Sequence, residues 1–204
     1  NFNWKLVQDN FNESYHVPFV HPQTKFVMEY SHHHCQFDLY PQGHAHMIMP
    51  GAGPTKTLRG GEKETLEQLA EEMEFWGLNP DDFRKGKTGE IRKALQKAKR
   101  ERGAEKGFDF SSYQDSQLTD HWHYTIFPNL SFSLKPDGNV SVPAPHVQGK
   151  VGEVSMGPGI DQDVEVWEVQ QRGLNSRGYK RDYLAWQERR LRFFHENLER
   201  WMAN

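Results

Sequence analysis

The chain has 204 residues, 35% of them hydrophobic, a net charge of -3 from 25 basic and 28 acidic side chains, and a single cysteine. That length fits one domain, 1–204, with a substantial core, and leaves little room for a second. The balanced charge offers no field for nucleic acid, no apolar run approaches the roughly 18 residues of a membrane span, and lone Cys35 excludes a disulfide framework and points to a reducing cytoplasm.

The sequence opens at Asn1 with no methionine and passes at once into the aromatic, strand-like run Phe2–Val7, which reads as a piece of something longer. Phe26, Met28 and Tyr30 alternate with more polar neighbours, as do Phe37 and Leu39, and Pro41-Gln42-Gly43 separates them from His44–Met49. This pattern predicts antiparallel strands joined by short turns. After Gly60-Gly61 the period changes, with Leu66, Leu69, Met73 and Trp76 forming an amphipathic stripe that Gly77 and Pro80 close. Residues 84–107 are rich in Lys and Arg and poor in large apolar side chains, which reads as a solvated helix with a mobile loop; a docking patch for an acidic protein is the alternative.

Strand character returns at Leu130, Phe132 and Leu134, and Pro136-Asp137-Gly138-Asn139 turns the chain into Val140 and Val142. A helix then starts at Gly157-Pro158-Gly159 and runs through Asp163, Val166 and Val169 to Gly173. A last helix from Asp182 carries Leu184, Leu191, Phe194, Leu198 and Trp201 as one stripe. The sum is an α+β fold, a curved antiparallel sheet with helices against one face.

Of the 11 histidines, seven cluster at 32–34, 44–46 and 121–123, so metal or proton chemistry must be considered. His32, His33 and His34 cannot all face one site on a strand and read as surface or pocket lining; His121 and His123 share a strand face. Trp167, Phe127, Phe132 and Tyr124 read as core, though an enclosed aromatic pocket would use the same residues.

The informative segment is Glu13-Ser14-Tyr15-His16-Val17-Pro18-Phe19-Val20-His21. On an unbroken helix His16 and His21 would stand about 140° apart. Pro18 ends or kinks a helix near Val17, placing His16 on its last turn while His21 swings in from the turn that follows. Glu13, three residues before His16, can orient whatever His16 touches. Far downstream, Gly159-Ile160-Asp161-Gln162-Asp163 opens a helix with two carboxylates, of which Asp161 reads as charge against the helix dipole. Two imidazoles and a carboxylate on one face, with other positions open, suit non-haem Fe(II) activating dioxygen.

These residues resemble a known family, the catalytic, carboxy-terminal domain of Rieske-type aromatic-ring-hydroxylating oxygenase alpha subunits. The likeness rests on NWK followed by DNF, E-x2-H-x4-H and Pro22; on HYTIFPNLSF at 123–132; and on DQDVEVWEVQQRGLNSRGY at 161–179. The resemblance implies that His16, His21 and Asp163 bind a mononuclear Fe(2+), that Glu13 is the acidic bridge through which an electron enters from a neighbouring subunit, and that Asn10 lies close to the iron. It implies a helix-grip fold, a curved sheet wrapped on a long carboxy-terminal helix. It further implies O2 as oxidant, a small apolar or aromatic substrate, a homo-oligomer (a trimer), and NAD(P)H as distant electron source through a reductase or ferredoxin. One departure stands out: a Rieske [2Fe-2S] cluster needs two cysteines and two histidines, so the amino-terminal Rieske domain of the family is absent from this chain.

Related members oxidise quaternary amines, leaving a Rieske monooxygenase open. A non-enzymatic helix-grip carrier of hydrophobic ligands competes from another class, but has no use for a His, His, Asp set. The 2-oxoglutarate oxygenases would want H-x-[DE], and no histidine in the chain is followed two residues later by an acid.

Overall fold

A computed structural model of the chain describes residues 2–134 and 153–203; the turn expected at Pro136–Asn139, with Val140 and Val142, lies outside them. The first element is a helix, α1 (Lys5–Phe11), where the aromatic run suggested a strand. Leu6 and Gln8 are its buried positions. A single helical turn, α2 (Val17–Val20), follows, and then a 3-10 turn at Thr24–Phe26 takes the place of the strand expected over 26–30. Only one bridge, Met28 to Gly51, pairs there. The alternation of Phe26, Met28 and Tyr30 reflects a loop with one wall against the core, since Met28 is buried while Phe26 and Tyr30 are half-buried.

Two strands, β1 (Gln36–Leu39) and β2 (Ala45–Met49), then form the expected hairpin. Its turn needs Gly43, whose φ is +85° and whose added Cβ would come within 3.0 Å of Phe127. The chain leaves β2 at Met49 and re-enters the sheet at His121, its register partner. Between them lie α3 (Glu62–Phe75), α4 (Ile91–Arg102) and α5 (Asp115–Thr119), which share a core of their own built on Leu69, Met73, Trp76, Ile91, Leu95 and Leu118. The base of this excursion is stapled where Arg92 reaches both Gly51 O and the Asp120 carboxylate, and Asp120 accepts the Gly51 N–H. The basic helix expected to be solvated has one buried face, Ile91, Leu95, Ala98 and Lys99. Lys99 is wholly buried, with Nζ 2.7 Å from Glu72 Oε1 and donating to Leu118 O. A sequence count of lysines treats such a side chain as surface.

After α5 come β3 (His121–Ile126) and β4 (Leu130–Leu134), completing an antiparallel sheet of order β1-β2-β3-β4. The described architecture is thus α+β, as expected. The register puts Ala45, Met47 and Met49 on the same face as His121, His123 and Thr125. Along this inner face Met47 and Met49 join Val17, Met28, Cys35 and Phe37 in a second core. The other face carries His46, Trp122, Tyr124 and Phe132, with the Trp122 and Tyr124 rings stacked and Tyr124 stacked on Phe132.

Two helices close the fold, α6 (Pro158–Leu174) and α7 (Arg189–Met202). The last helix begins at Arg189 rather than Asp182, after a 3-10 turn at Trp186–Glu188. Its apolar stripe is shorter than expected: Leu191, Phe194 and Leu198 are buried, whereas Leu184 and Trp201 are exposed. Phe194 meets Trp4 and Phe127 edge-on, and Arg189 stacks over Phe37. Among the described residues no helix is long and apolar enough to cross a membrane.

One ionic fastener ties the two ends of the chain. His195 Nε2 on α7 lies 2.7 Å from Asp9 Oδ1 on α1. Hydrogen bonding to Asp9 holds the imidazole pKa above its ordinary value, against burial and Lys5 and with help from Glu199. A raised pKa means this stabilisation is full below about pH 6.5 and is lost as pH climbs through the elevated folded value. His195→Gln should therefore cost about 1 kcal/mol at pH 6 and little at pH 9 in urea unfolding. An equal loss at both pH values would show that His195 contributes by packing alone.

Candidate metal centre

The loop that carries the two histidines is tied down before it reaches them. Asn12, wholly buried, closes α1 by donating from Nδ2 to Gln8 O and accepts from Thr125 Oγ1 on β3. Ser14 donates to Tyr30 O at 2.6 Å. Val17 then enters the core beside Met47 and Met49, a burial worth about 1.5 kcal/mol or more. Pro18 acts differently from expectation: it sits in the first turn of α2 and starts that turn instead of ending one. The first turn has no use for the missing N–H, and the fixed φ suits it. His16 is consequently the residue before the turn and His21 the residue after it, with His21 out of helical geometry at φ -119° and ψ 61°. The two rings face each other edge-on, centroids 5.3 Å apart.

Asp163 comes from α6, near its start. This helix buries Asp163 and Trp167, one turn apart on one face, while Val166 and Val169 are exposed. Trp167 is held by Phe2 edge-on at 5.3 Å, and Gln171 accepts from Asn3 N–H on the same side of α6. Asp161 sits in the first turn and is used locally, accepting from Ser155 Oγ and Met156 N–H. Only Asp163 reaches the histidines.

His21 Nε2 lies 3.0 Å and His16 Nε2 3.7 Å from Asp163 Oδ1. One ligand atom from each of the three residues falls within 4.8 Å of the others, the sole such group of His, Cys, Asp and Glu among the described residues. Asp163 Oδ1 is buried without a well-aligned hydrogen-bond donor, despite its short distance to His21. An orphaned carboxylate oxygen facing two imidazole nitrogens is a donor set that a divalent cation would satisfy. The close Asp163 carboxylate raises the His21 pKa, against its burial.

Each imidazole is held through its far nitrogen. His16 Nδ1–H donates to Glu13 Oε1 at 2.5 Å, while Glu13 Oε2 accepts the His16 backbone N–H. His21 Nδ1–H donates to Gln162 Oε1 at 2.8 Å, and Gln23 Nε2 donates to the same oxygen. Both contacts put the proton on Nδ1 and leave the Nε2 lone pairs facing Asp163. Sequence reasoning missed Gln162; its one signal was adjacency to Asp163. Among the described residues no hydrogen bond links Asn10 to the three clustered residues.

The other histidines stand apart from the cluster. His32, His33 and His34 form a turn, not a strand, and the first two rings lie against each other at 3.9 Å. His123 faces inward beside Phe11, and burial, with His121, Arg190 and His16 adding to it, pushes its pKa down to about 3. It is neutral at any working pH. A groove of about 430 Å³ runs along the outside of the loop, lined by Tyr15, Pro18, Phe19 and Tyr30 among others, and none of the three clustered residues lines it.

No curated protein and no solved structure matches the chain. The family model for the ring hydroxylating alpha subunit (catalytic domain) does, over residues 1–143 and 155–204. Its span takes in both the loop of His16 and His21 and the helix of Asp163, so this protein belongs to the ring-hydroxylating oxygenase alpha subunits and carries their catalytic domain.

Proposed function

We propose that this domain holds one Fe(2+) through His16, His21 and Asp163 and inserts oxygen from O2 into a small apolar, aromatic substrate. The observation that carries this reading is the orphaned Asp163 Oδ1 opposite two Nε2 atoms, in a chain of the ring-hydroxylating family. Ferrous iron at that position supplies dioxygen binding and activation beside the substrate. The chain's own residues supply orientation. Glu13 and Gln162 fix the imidazole tautomers, Val17 and Trp167 lock the loop and the helix in place, and the buried positions of Asp163 and His21 keep water from competing for their donor atoms.

The electrons come from NAD(P)H through a reductase or ferredoxin and the [2Fe-2S] cluster of a Rieske domain, whose two cysteine ligands are not both among these 204 residues. Glu13 is the entry point for an electron from a neighbouring subunit of a trimer, and its buried carboxylate meets His16 Nδ1 of the proposed ligand shell. The sheet, with α7 against it, forms the helix grip. A helix-grip carrier without metal would leave the convergence of three donor atoms unexplained.

Loaded anaerobically with ferrous iron, the chain should bind about one equivalent, measured by metal analysis after desalting. His16→Ala and Asp163→Ala should lose it and Asp161→Ala should keep it. The reverse behaviour of the two aspartate variants would move the ligand by two residues. Gln162→Leu should fold normally yet bind Co(II) about tenfold or more weakly; unchanged affinity would make the Gln162 contact incidental. Glu13→Gln should still take up one equivalent of iron at saturating concentration, with about tenfold lower affinity, and still bind substrate, but abolish NAD(P)H-driven turnover in the assembled oxygenase, whereas failure to take up iron at saturation would make Glu13 a ligand.

A further inference from the structure

Arg190, in the first full turn of α7, is the largest charged side chain that the fold buries completely, at 0% exposure. It makes two hydrogen bonds to separate elements: Nη1 donates to Phe11 O at 3.1 Å and Nη2 to Thr125 Oγ1 at 3.3 Å. Its Nε is buried without a partner, and no carboxylate lies within ion-pair distance of it among the described residues. Burial, with Arg189 adding to it and the field of Glu13 working the other way, lowers its pKa to about 9. Stability alone gives no reason for such a residue, because an apolar side chain of similar size avoids the desolvation cost. Its two acceptors do give a reason. Phe11 O is the last carbonyl of α1, and Thr125 donates in turn to Asn12, whose amide caps Gln8. The next residue is Glu13.

We propose that Arg190 is a positioning residue for the candidate iron site: anchored on Phe11 O and Thr125 Oγ1, it holds the turn from Phe11 to Glu13 against β3 so that the Glu13 carboxylate meets His16 Nδ1. The planar guanidinium suits this task, since its fixed fork bridges two acceptors that belong to different elements. The proposal rests on the iron-site reading, but one arm of its test needs no metal.

In the metal-free 204-residue chain, nitrogen-15 NMR of the imidazoles should show His16 as a single tautomer protonated on Nδ1. Arg190→Met should turn this into a mixture while the protein still melts cooperatively. In the second arm, Co(II) affinity should fall about tenfold in Arg190→Met, recover in part in Arg190→Lys, and fall no further in the Glu13→Gln, Arg190→Met pair than in Glu13→Gln alone. A folded Arg190→Met variant with wild-type tautomer and wild-type Co(II) affinity would overturn the proposal, as would additive losses in the double variant. Should Arg190→Met fail to fold, Thr125→Val carries the same test, because it removes one acceptor and the Asn12 link while leaving the charge in place; an unchanged His16 tautomer there overturns the proposal too. If the wild-type chain takes up no Co(II), the iron reading fails, and the imidazole signal still decides the role of Arg190.

Discussion

Burying the Asp163 carboxylate is the constraint around which this molecule is arranged. An anion that is 4% exposed, on a helix whose other buried residue is Trp167, is unfavourable unless groups of opposite polarity meet it. Those groups come from the far end of the chain, from the two residues that flank α2, so the first and last thirds of the sequence must be fastened together before the site exists. The fastening is polar as much as apolar. Asn3 reaches Gln171, Gln23 and His21 share Gln162, and Asp9 reaches His195. Each of these bonds joins the first 23 residues to α6 or α7.

The sheet supplies the rigid wall for that arrangement. Thr125, on the inner face of β3, is the meeting point, accepting from Arg190 and donating to Asn12, while Ser131 on β4 donates to Gln8. Beside it, Met47 and Met49 receive Val17 and so set the height of His16 and His21 above the sheet. The helical excursion of α3, α4 and α5 contributes nothing to the cluster directly. It has a separate core and touches the sheet where Arg92 and Asp120 grip Gly51. Changes inside it are expected to act on stability and leave the geometry of the donor atoms alone.

How much of this could be read from residues alone divides along physical lines. Helix α3 and the hairpin of β1 and β2 were legible, because period and turn chemistry agree with tertiary burial there. The strand reading of Phe2–Val7 and of 26–30 failed because short aromatic runs do not distinguish a strand from a helix or a half-buried loop. Lys99 and Arg190 were illegible for a shared reason: a long cationic side chain is scored as surface, and only the fold reveals a carbonyl waiting for it. The convergence of His16, His21 and Asp163 was suggested by residue type and by resemblance, yet the local reason was misjudged, since Pro18 starts the turn between the histidines. Gln162 and Asn12 left no usable mark, as amides at loop and helix positions are too common to single out.

The charge balance around the site gives the last step. Two carboxylates, Glu13 and Asp163, are buried beside the two imidazoles, and among the described residues Arg190, buried too, is ion-paired with neither. The close Asp163 carboxylate raises the His21 pKa against the effect of burial, the direction expected where an anion faces an imidazole. His16 is already committed through Nδ1 to Glu13, so the Nε2 atoms of the two rings differ in what they offer Asp163: one stands at 3.0 Å and the other at 3.7 Å. A divalent ion held by His16, His21 and Asp163, as proposed, would bring positive charge to the same carboxylate and would compete with a proton for the Nε2 atoms. Metal binding and protonation of His21 would then be competing ways of meeting one buried negative charge.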